Sequence, residues 1–244
     1  MIIGRGAGRS GRIALTIWGI IGLLLAVDFY GVKTGAGRQQ SDKGTVYTSV
    51  GETAHQRPVE KKTVALTFDD GPHPIYTPRL LEGLKERGVH VTFFLIGQNI
   101  DGNEDIILRM KEDGHLIGNH SQNHMQLTKE QTKEACDQIN RTNDQIKNIT
   151  GQIPEYVRPP FGSWSEELEC LVPMKVVLWS VDPLDWKTQN KDRIVRHIVN
   201  HVEDGSIILL HDVYDTSVEA ALEVIDTLSL EGYNFVTVDE LLIE

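Results

Sequence analysis

From residue 61 onward the chain alternates between two hydrophobic periods. Short apolar runs rich in β-branched residues read as buried strands, and stretches with apolar residues three and four apart read as helices. The first run, Thr63-Val64-Ala65-Leu66-Thr67-Phe68, ends on Asp69-Asp70-Gly71-Pro72, where Gly-Pro forces a turn. Thr77-Pro78 then reads as a cap followed by proline at the first helical position. Leu80, Leu81 and Leu84 give that helix an apolar side, and Gly88 ends it. Val91–Ile96 is the second strand. A helix over about 104–112 closes at Gly114, and His115–Gly118 is a short strand leading to Asn119-His120. Thr128 with Gln131 forms a capping box for a helix running towards Asn148. Tyr156-Val157 leads into Arg158-Pro159-Pro160-Phe161-Gly162, and Lys175–Val181 is strand-like up to Asp182-Pro183-Leu184-Asp185-Trp186. A helix over about 191–202 precedes the strand Ser206–Leu210, which ends at His211-Asp212. A helix over about 217–230, a strand Phe235–Val238 and a short terminal helix complete the pattern.

Strands that alternate with helices imply an α/β fold with a parallel sheet and right-handed crossovers. The reactive side chains are not scattered. Asp69 and Asp70, His120 and His124, Arg158, Asp182 and Asp185, and His211 each come just after a predicted strand. In a parallel β/α barrel such positions converge on the carboxyl-terminal face. Residues 61–244 therefore read as one catalytic domain, with no second domain and no long repeat.

The first 60 residues differ in kind. Arg5, Arg9 and Arg12 precede an apolar run from Ile13 to Val27. The run suits a signal-peptide core and, counted through Val32, an uncleaved membrane anchor. We expect residues 1–32 to anchor the chain in the cytoplasmic membrane, with cleaved export as the alternative. Arginines before the run send the rest of the chain outward. Residues 33–60 are polar, without apolar periodicity, and read as a flexible spacer.

The chain of 244 residues carries a formal charge of -11. Seven Lys/Arg against four Asp/Glu make residues 1–60 net +3, and 17 against 31 make the remainder -14. So acidic a domain is a poor partner for nucleic acid and suits a neutral or cationic substrate beside a bound cation. A monomer is expected. Cys136 and Cys170 are read as unpaired thiols or, outside the cell, a disulfide.

Adjacent carboxylates at a strand end repel each other unless a cation is near. A metal ion removes that cost and divides the work, one acid ligating and the other free to act as base. His120 and His124 are spaced to face one ion. His197 and His201 have the same spacing, but lie among Arg193, Arg196 and Asn200 and read as a solvated face. Two histidines and one aspartate leave coordination positions open, as catalytic zinc requires; the same set also suits non-haem iron.

Thr67-Phe68-Asp69-Asp70-Gly71-Pro72, His120-Ser121-Gln122-Asn123-His124, Arg158-Pro159-Pro160-Phe161-Gly162, Asp182-Pro183-Leu184-Asp185-Trp186 and Leu209-Leu210-His211-Asp212 resemble the five ordered motifs of the polysaccharide deacetylase family, the NodB-like domain of carbohydrate esterase family 4. The resemblance spans about residues 61–244. It implies a distorted β/α barrel that removes acetyl groups from N-acetylated glycan, peptidoglycan N-acetylglucosamine first. Chitin oligomers, poly-N-acetylglucosamine and O-acetylated xylan are alternatives, and a non-catalytic glycan-binding protein is a further one. It implies a divalent metal, usually zinc, with cobalt or another divalent ion possible, on Asp70, His120 and His124. Asp69 would be the general base and Arg158 its partner. The Phe161 N–H would face the oxyanion; the family often has Tyr there. His211 would be the acid, oriented by Asp185, with Asp182 the other candidate for that task. Trp186 and Leu209 would wall the acetyl pocket.

Overall fold

The computed structural model describes residues 62–127, 132–164 and 174–243. The anchor and spacer expected in 1–60, the Thr128/Gln131 capping box and Cys170 lie outside the described residues. Cys136 is partly buried.

Seven parallel strands are described: β1 (Lys62–Asp69), β2 (Thr92–Leu95), β3 (Leu116–Asn119), β4 (Tyr156–Val157), β5 (Lys175–Val176), β6 (Ser206–His211) and β7 (Tyr233–Val236). They pair in the order β5-β4-β3-β2-β1-β6, with β7 also on β1. The α-helices among the described residues are α1 (Tyr76–Arg87), α2 (Glu104–Glu112), α3 (Thr132–Thr150), α4 (Asp185–Thr188), α5 (Lys191–His201), α6 (Asp215–Leu230) and α7 (Val238–Ile243).

The sheet curls because its two ends meet. Val181 bridges Ile208 of β6, with Leu209 N–H donating to the Val181 carbonyl at 2.9 Å. The predicted strand Lys175–Val181 is thus two short pieces. Val177 N–H still donates to the Val157 carbonyl of β4 at 2.9 Å, and the ladder lapses beyond it, where the carbonyls of Val177 and Leu178 accept from Arg158 at 3.2 and 3.1 Å. Arg158 therefore fills the seam where a regular barrel would have a strand.

Alternation along β1 sorts the two faces. Leu66 and Phe68 point outward into the main core, against Leu80, Leu81 and Leu84 of α1 and Val224 and Ile225 of α6. Burying each of those leucines contributes about 1.5–3 kcal/mol. Ala65, Thr67 and Asp69 occupy the opposite face, inside the curl, where Ala65 clusters with Phe94 and Tyr156. The period that buries Leu66 and Phe68 thus aims Asp69 inward.

Several other boundaries shift by one or two residues, and two of the shifts involve a helix cap. Helix α1 starts at Tyr76, so Thr77 lies within its first turn rather than capping it. The last strand ends at Val236 and not Val238, because Glu240 turns back to cap the start of α7: Thr237 N–H donates to Glu240 Oε2 at 2.9 Å, and the Thr237 hydroxyl to the same oxygen at 3.0 Å.

Candidate active site

Two neighbouring strands end on the two central groups. Asp69 closes β1, His211 closes β6, and they are register partners. The chain turns sharply after each. Asp70 has φ 73°, and its carbonyl accepts from Asn99 Nδ2 at 2.8 Å. Gly71 must be glycine, since a Cβ there would lie 2.5 Å from Asp212 Oδ1. Asp212 is fully buried, and its carboxylate accepts from the Thr77 hydroxyl. Burial pushes the Asp212 carboxyl up to about 7.

The third loop comes after β3. His120 Nδ1 lies 2.6 Å from the Arg158 carbonyl; the carbonyl can only accept, so Nδ1 carries the proton and the Nε2 lone pair is free. That Nε2 is 3.5 Å from Asp70 Oδ1, and His124 Nε2 is 3.6 Å from the same oxygen. One ligand atom from each of the three residues lies within 4.8 Å of the others. Asp70 Oδ1 is buried and has no hydrogen-bond partner among the described residues. An orphaned carboxylate oxygen between two imidazole nitrogens fits a divalent cation, which would satisfy all three. Burial also lowers the pKa of His124, against the opposing pull of Asp70, which favours the neutral ligating form.

Arg158 is fully buried. Its Nη1 donates to Asp69 Oδ1 at 2.9 Å and to Thr67 Oγ1 at 2.7 Å, and the guanidinium lies 4.2 Å from the Phe94 ring centroid. Asp69 Oδ2, the other oxygen, is 3.7 Å from His120 Nε2. One oxygen of Asp69 is thus held by arginine and the other faces His120.

Of the two candidates for orienting His211, the structure places Asp185 on the imidazole. Asp185 Oδ1 is 2.8 Å from His211 Nδ1. Its Oδ2 accepts from His211 N–H at 2.8 Å and from the Ser217 hydroxyl at 2.6 Å. Asp182 instead caps its own turn, accepting from Leu184 N–H at 2.8 Å. Burial alone would lower the His211 pKa; the Asp185 hydrogen bond and charge, with the charges of Asp69 and Asp70, outweigh it and raise the value to about 9.

Asp69, Asp70, His120, His124, Asp182 and His211 line one cavity of about 460 Å³, while Arg158 and Asp185 are fully buried. Leu209 and Trp186 are in its wall, and so is Phe161. Phe161 has φ 60°, and its ring meets His124 edge-on at 4.6 Å. Trp179, Leu184 and Tyr214 also line it; sequence reasoning missed them. Tyr214 lies three residues beyond His211 on the same loop, a signal that was available; Trp179 sits in the irregular seam, where no periodicity marks a facing. His197 and His201 stack on each other on α5 at 4.3 Å, away from the cavity lining.

A family model described as polysaccharide deacetylase matches residues 56–172. The chain is 46% identical over 181 residues to the Bacillus subtilis peptidoglycan-N-acetylmuramic acid deacetylase PdaC, covering 74% of this chain and 39% of that protein. The chain therefore spans well under half the length of that relative. It is 36% identical over 195 residues to a Bacillus cereus peptidoglycan-N-acetylglucosamine deacetylase, covering 75% of this chain and 70% of the other. The solved structure of PdaC superposes with a TM-score of 0.72, covering 75% of this chain and 90% of that one at 46% identity. A Clostridium thermocellum family 4 acetyl xylan esterase in complex with a cobalt ion superposes with a TM-score of 0.70 at 37% identity, covering 74% and 90%.

Proposed function

Since the chain belongs to the polysaccharide deacetylase family, we propose that it hydrolyses the acetamide of N-acetylglucosamine in peptidoglycan, releasing acetate and leaving an amine on the sugar. The observation that carries this reading is the register pair on β1 and β6. Asp69 and His211 end adjacent strands, and each is bound to a counter-ion of opposite sign, Arg158 for one and Asp185 for the other. That is a base and an acid set side by side in one cavity.

Asp70, His120 and His124 would hold a divalent ion, zinc in this reading, which would supply Lewis-acid polarisation of the acetamide carbonyl. Asp69 accepts a proton from the attacking water through Oδ2, because Arg158 occupies Oδ1. The Phe161 N–H donates to the developing oxyanion. His211, cationic below about 9, gives its proton to the departing sugar nitrogen. Trp186 and Leu209 bound the space for the acetyl methyl. The apolar run 13–27 behind three arginines supports a domain tethered outside the cytoplasmic membrane, within reach of the wall.

Acetate release from purified peptidoglycan, and separately from chitin oligomers, tests the function. Release from peptidoglycan that stops on chelation and returns with added zinc is the expected result. Release from chitin oligomers alone keeps the chemistry and discards the wall. A folded, metal-loaded protein that releases acetate from neither is a glycan binder or acts on an acetyl ester such as that of acetylated xylan.

The His211 role has its own signature. Activity falls as pH rises through about 9, where the imidazolium is lost. Asp185→Asn removes the anion that raises this pKa, so the basic limb moves down by about one pH unit or more. An unmoved limb in that variant, measured from kcat against pH, rules out His211 as the titrating acid.

A further inference from the structure

Helix α3 meets the loop that carries His120 and His124 with amides and a hydroxyl where a packing helix would offer apolar side chains. Gln138, Thr142 and Asn143 are 8%, 0% and 2% exposed, and each reaches the 119–124 segment. Asn143 Oδ1 accepts from Asn119 Nδ2 at 2.8 Å. The Thr142 hydroxyl lies 3.2 Å from Gln122 Oε1. Gln138 Oε1 accepts two consecutive backbone N–H groups, Gln122 at 3.1 Å and Asn123 at 3.0 Å.

The loop then closes on itself. Ser121 N–H donates to Asn119 Oδ1 at 2.7 Å and His124 N–H to Ser121 Oγ at 3.1 Å. Every backbone N–H from 121 to 124 thus ends on a side-chain oxygen, and the Gln138 oxygen alone comes from another element. It uses both lone pairs to do so. On the opposite side, Gly97 and Gln98 donate to the carbonyls of Ser121 and Gln122 at 3.0 and 2.8 Å. A side chain at Gly97 would collide with Gln122 Oε1 and the Thr142 hydroxyl, so the fit tolerates only glycine there.

Such bracing has a purpose. Ser121 and His124 have φ of 65° and 59°, left-handed values that a non-glycine residue keeps only when its surroundings over-determine them. The distance between the two imidazoles depends on those angles. We propose that Gln138 is a positioning residue of the metal centre: its carboxamide oxygen, clamping two successive N–H groups between His120 and His124, sets the spacing of the two ligands. The inference rests on the reading of Asp70, His120 and His124 as metal ligands.

The test uses the full chain and Co²⁺ as the probe. Gln138→Met is close in volume and removes the acceptor. It weakens Co²⁺ binding by about tenfold, in the range found for groups that orient metal ligands, and shifts the visible Co²⁺ absorption band. Gln138→Glu keeps an oxygen at the same reach and returns affinity to within about threefold of wild type, with the wild-type band. A helix that only packs would lower the melting temperature of the metal-free protein and leave affinity and spectrum of the folded fraction unchanged. Wild-type Co²⁺ affinity and spectrum in Gln138→Met overturn the proposal, as does a Glu variant no better than Met. Should Gln138→Met not fold, Gln138→Asn, which keeps the amide but draws its oxygen back by one methylene, takes its place with the same expectations. A wild-type chain that binds no Co²⁺ overturns the metal reading and this proposal together; a wild type that binds while the variants match it overturns this one alone.

Discussion

Asp69→Asn keeps its metal and its KM and loses kcat for acetate release by about 10²- to 10⁴-fold, the range for removal of a general base. The change is isosteric. Asparagine Oδ1 still accepts from Arg158 Nη1, where Asp69 Oδ1 now lies 2.9 Å away. That bond fixes the orientation of the amide, so Nδ2 takes the place of Oδ2 near His120. There the side chain presents donors to the water and can accept no proton. The metal triad is untouched, because Asp69 is not among its three residues. Stability falls by about 1–3 kcal/mol, as a buried guanidinium trades a charged partner for a neutral one; its bonds to Thr67, Val177 and Leu178 remain. Metal content, kcat and KM measured on one preparation separate the outcomes. A kcat within tenfold of wild type removes Asp69 from the chemistry. A large loss accompanied by loss of metal makes it a ligand instead.

The sheet and the strand-end positions of the reactive groups were legible because both rest on local periodicity. Leu66 and Phe68 outward forces Asp69 inward, and no tertiary information is needed. Most helix limits were legible for the same reason: Gly88 and Gly114 take φ of 62° and 83° at helix ends, which glycine accommodates without strain. What failed was whatever depends on a partner far along the chain. Lys175–Val181 has strand composition, but Arg158 takes the carbonyls its middle would have given to a neighbour. Asp182 and Asp185 are alike in local sequence; the choice is made by His211 and Ser217, 26 and 32 residues beyond Asp185. Gln138 looks like a solvated helix position until the 119–124 loop is laid against it. Sequence pattern marks which groups lie at the carboxyl end of the sheet, and only the folded chain shows which are paired.

Arg158→Met lowers unfolding stability by about 3–5 kcal/mol, the loss expected when one member of a buried ion pair is removed. Methionine fills much of the volume and can rest on the Phe94 ring, so the effect is not a cavity. It comes from what is left behind. The Asp69 carboxylate, 4% exposed, loses its only charged hydrogen-bond partner among the described residues. The carbonyls of Val177 and Leu178 lose their donor, and they lie in the seam where Val181 joins β6. A cycle apportions the two contributions. If the stranded charge dominates, Arg158→Met combined with Asp69→Asn is more stable than Arg158→Met alone by about 2 kcal/mol or more, since the double variant buries no unpaired ion. If the seam dominates, the double variant is no better than the single one. Denaturant unfolding of the four metal-free proteins decides. A loss below about 1 kcal/mol in Arg158→Met would put the pair in the class of exposed bridges, which its complete burial argues against. The same pairing that joins the closed sheet thereby determines which oxygen of Asp69 is left facing His120 and the cavity.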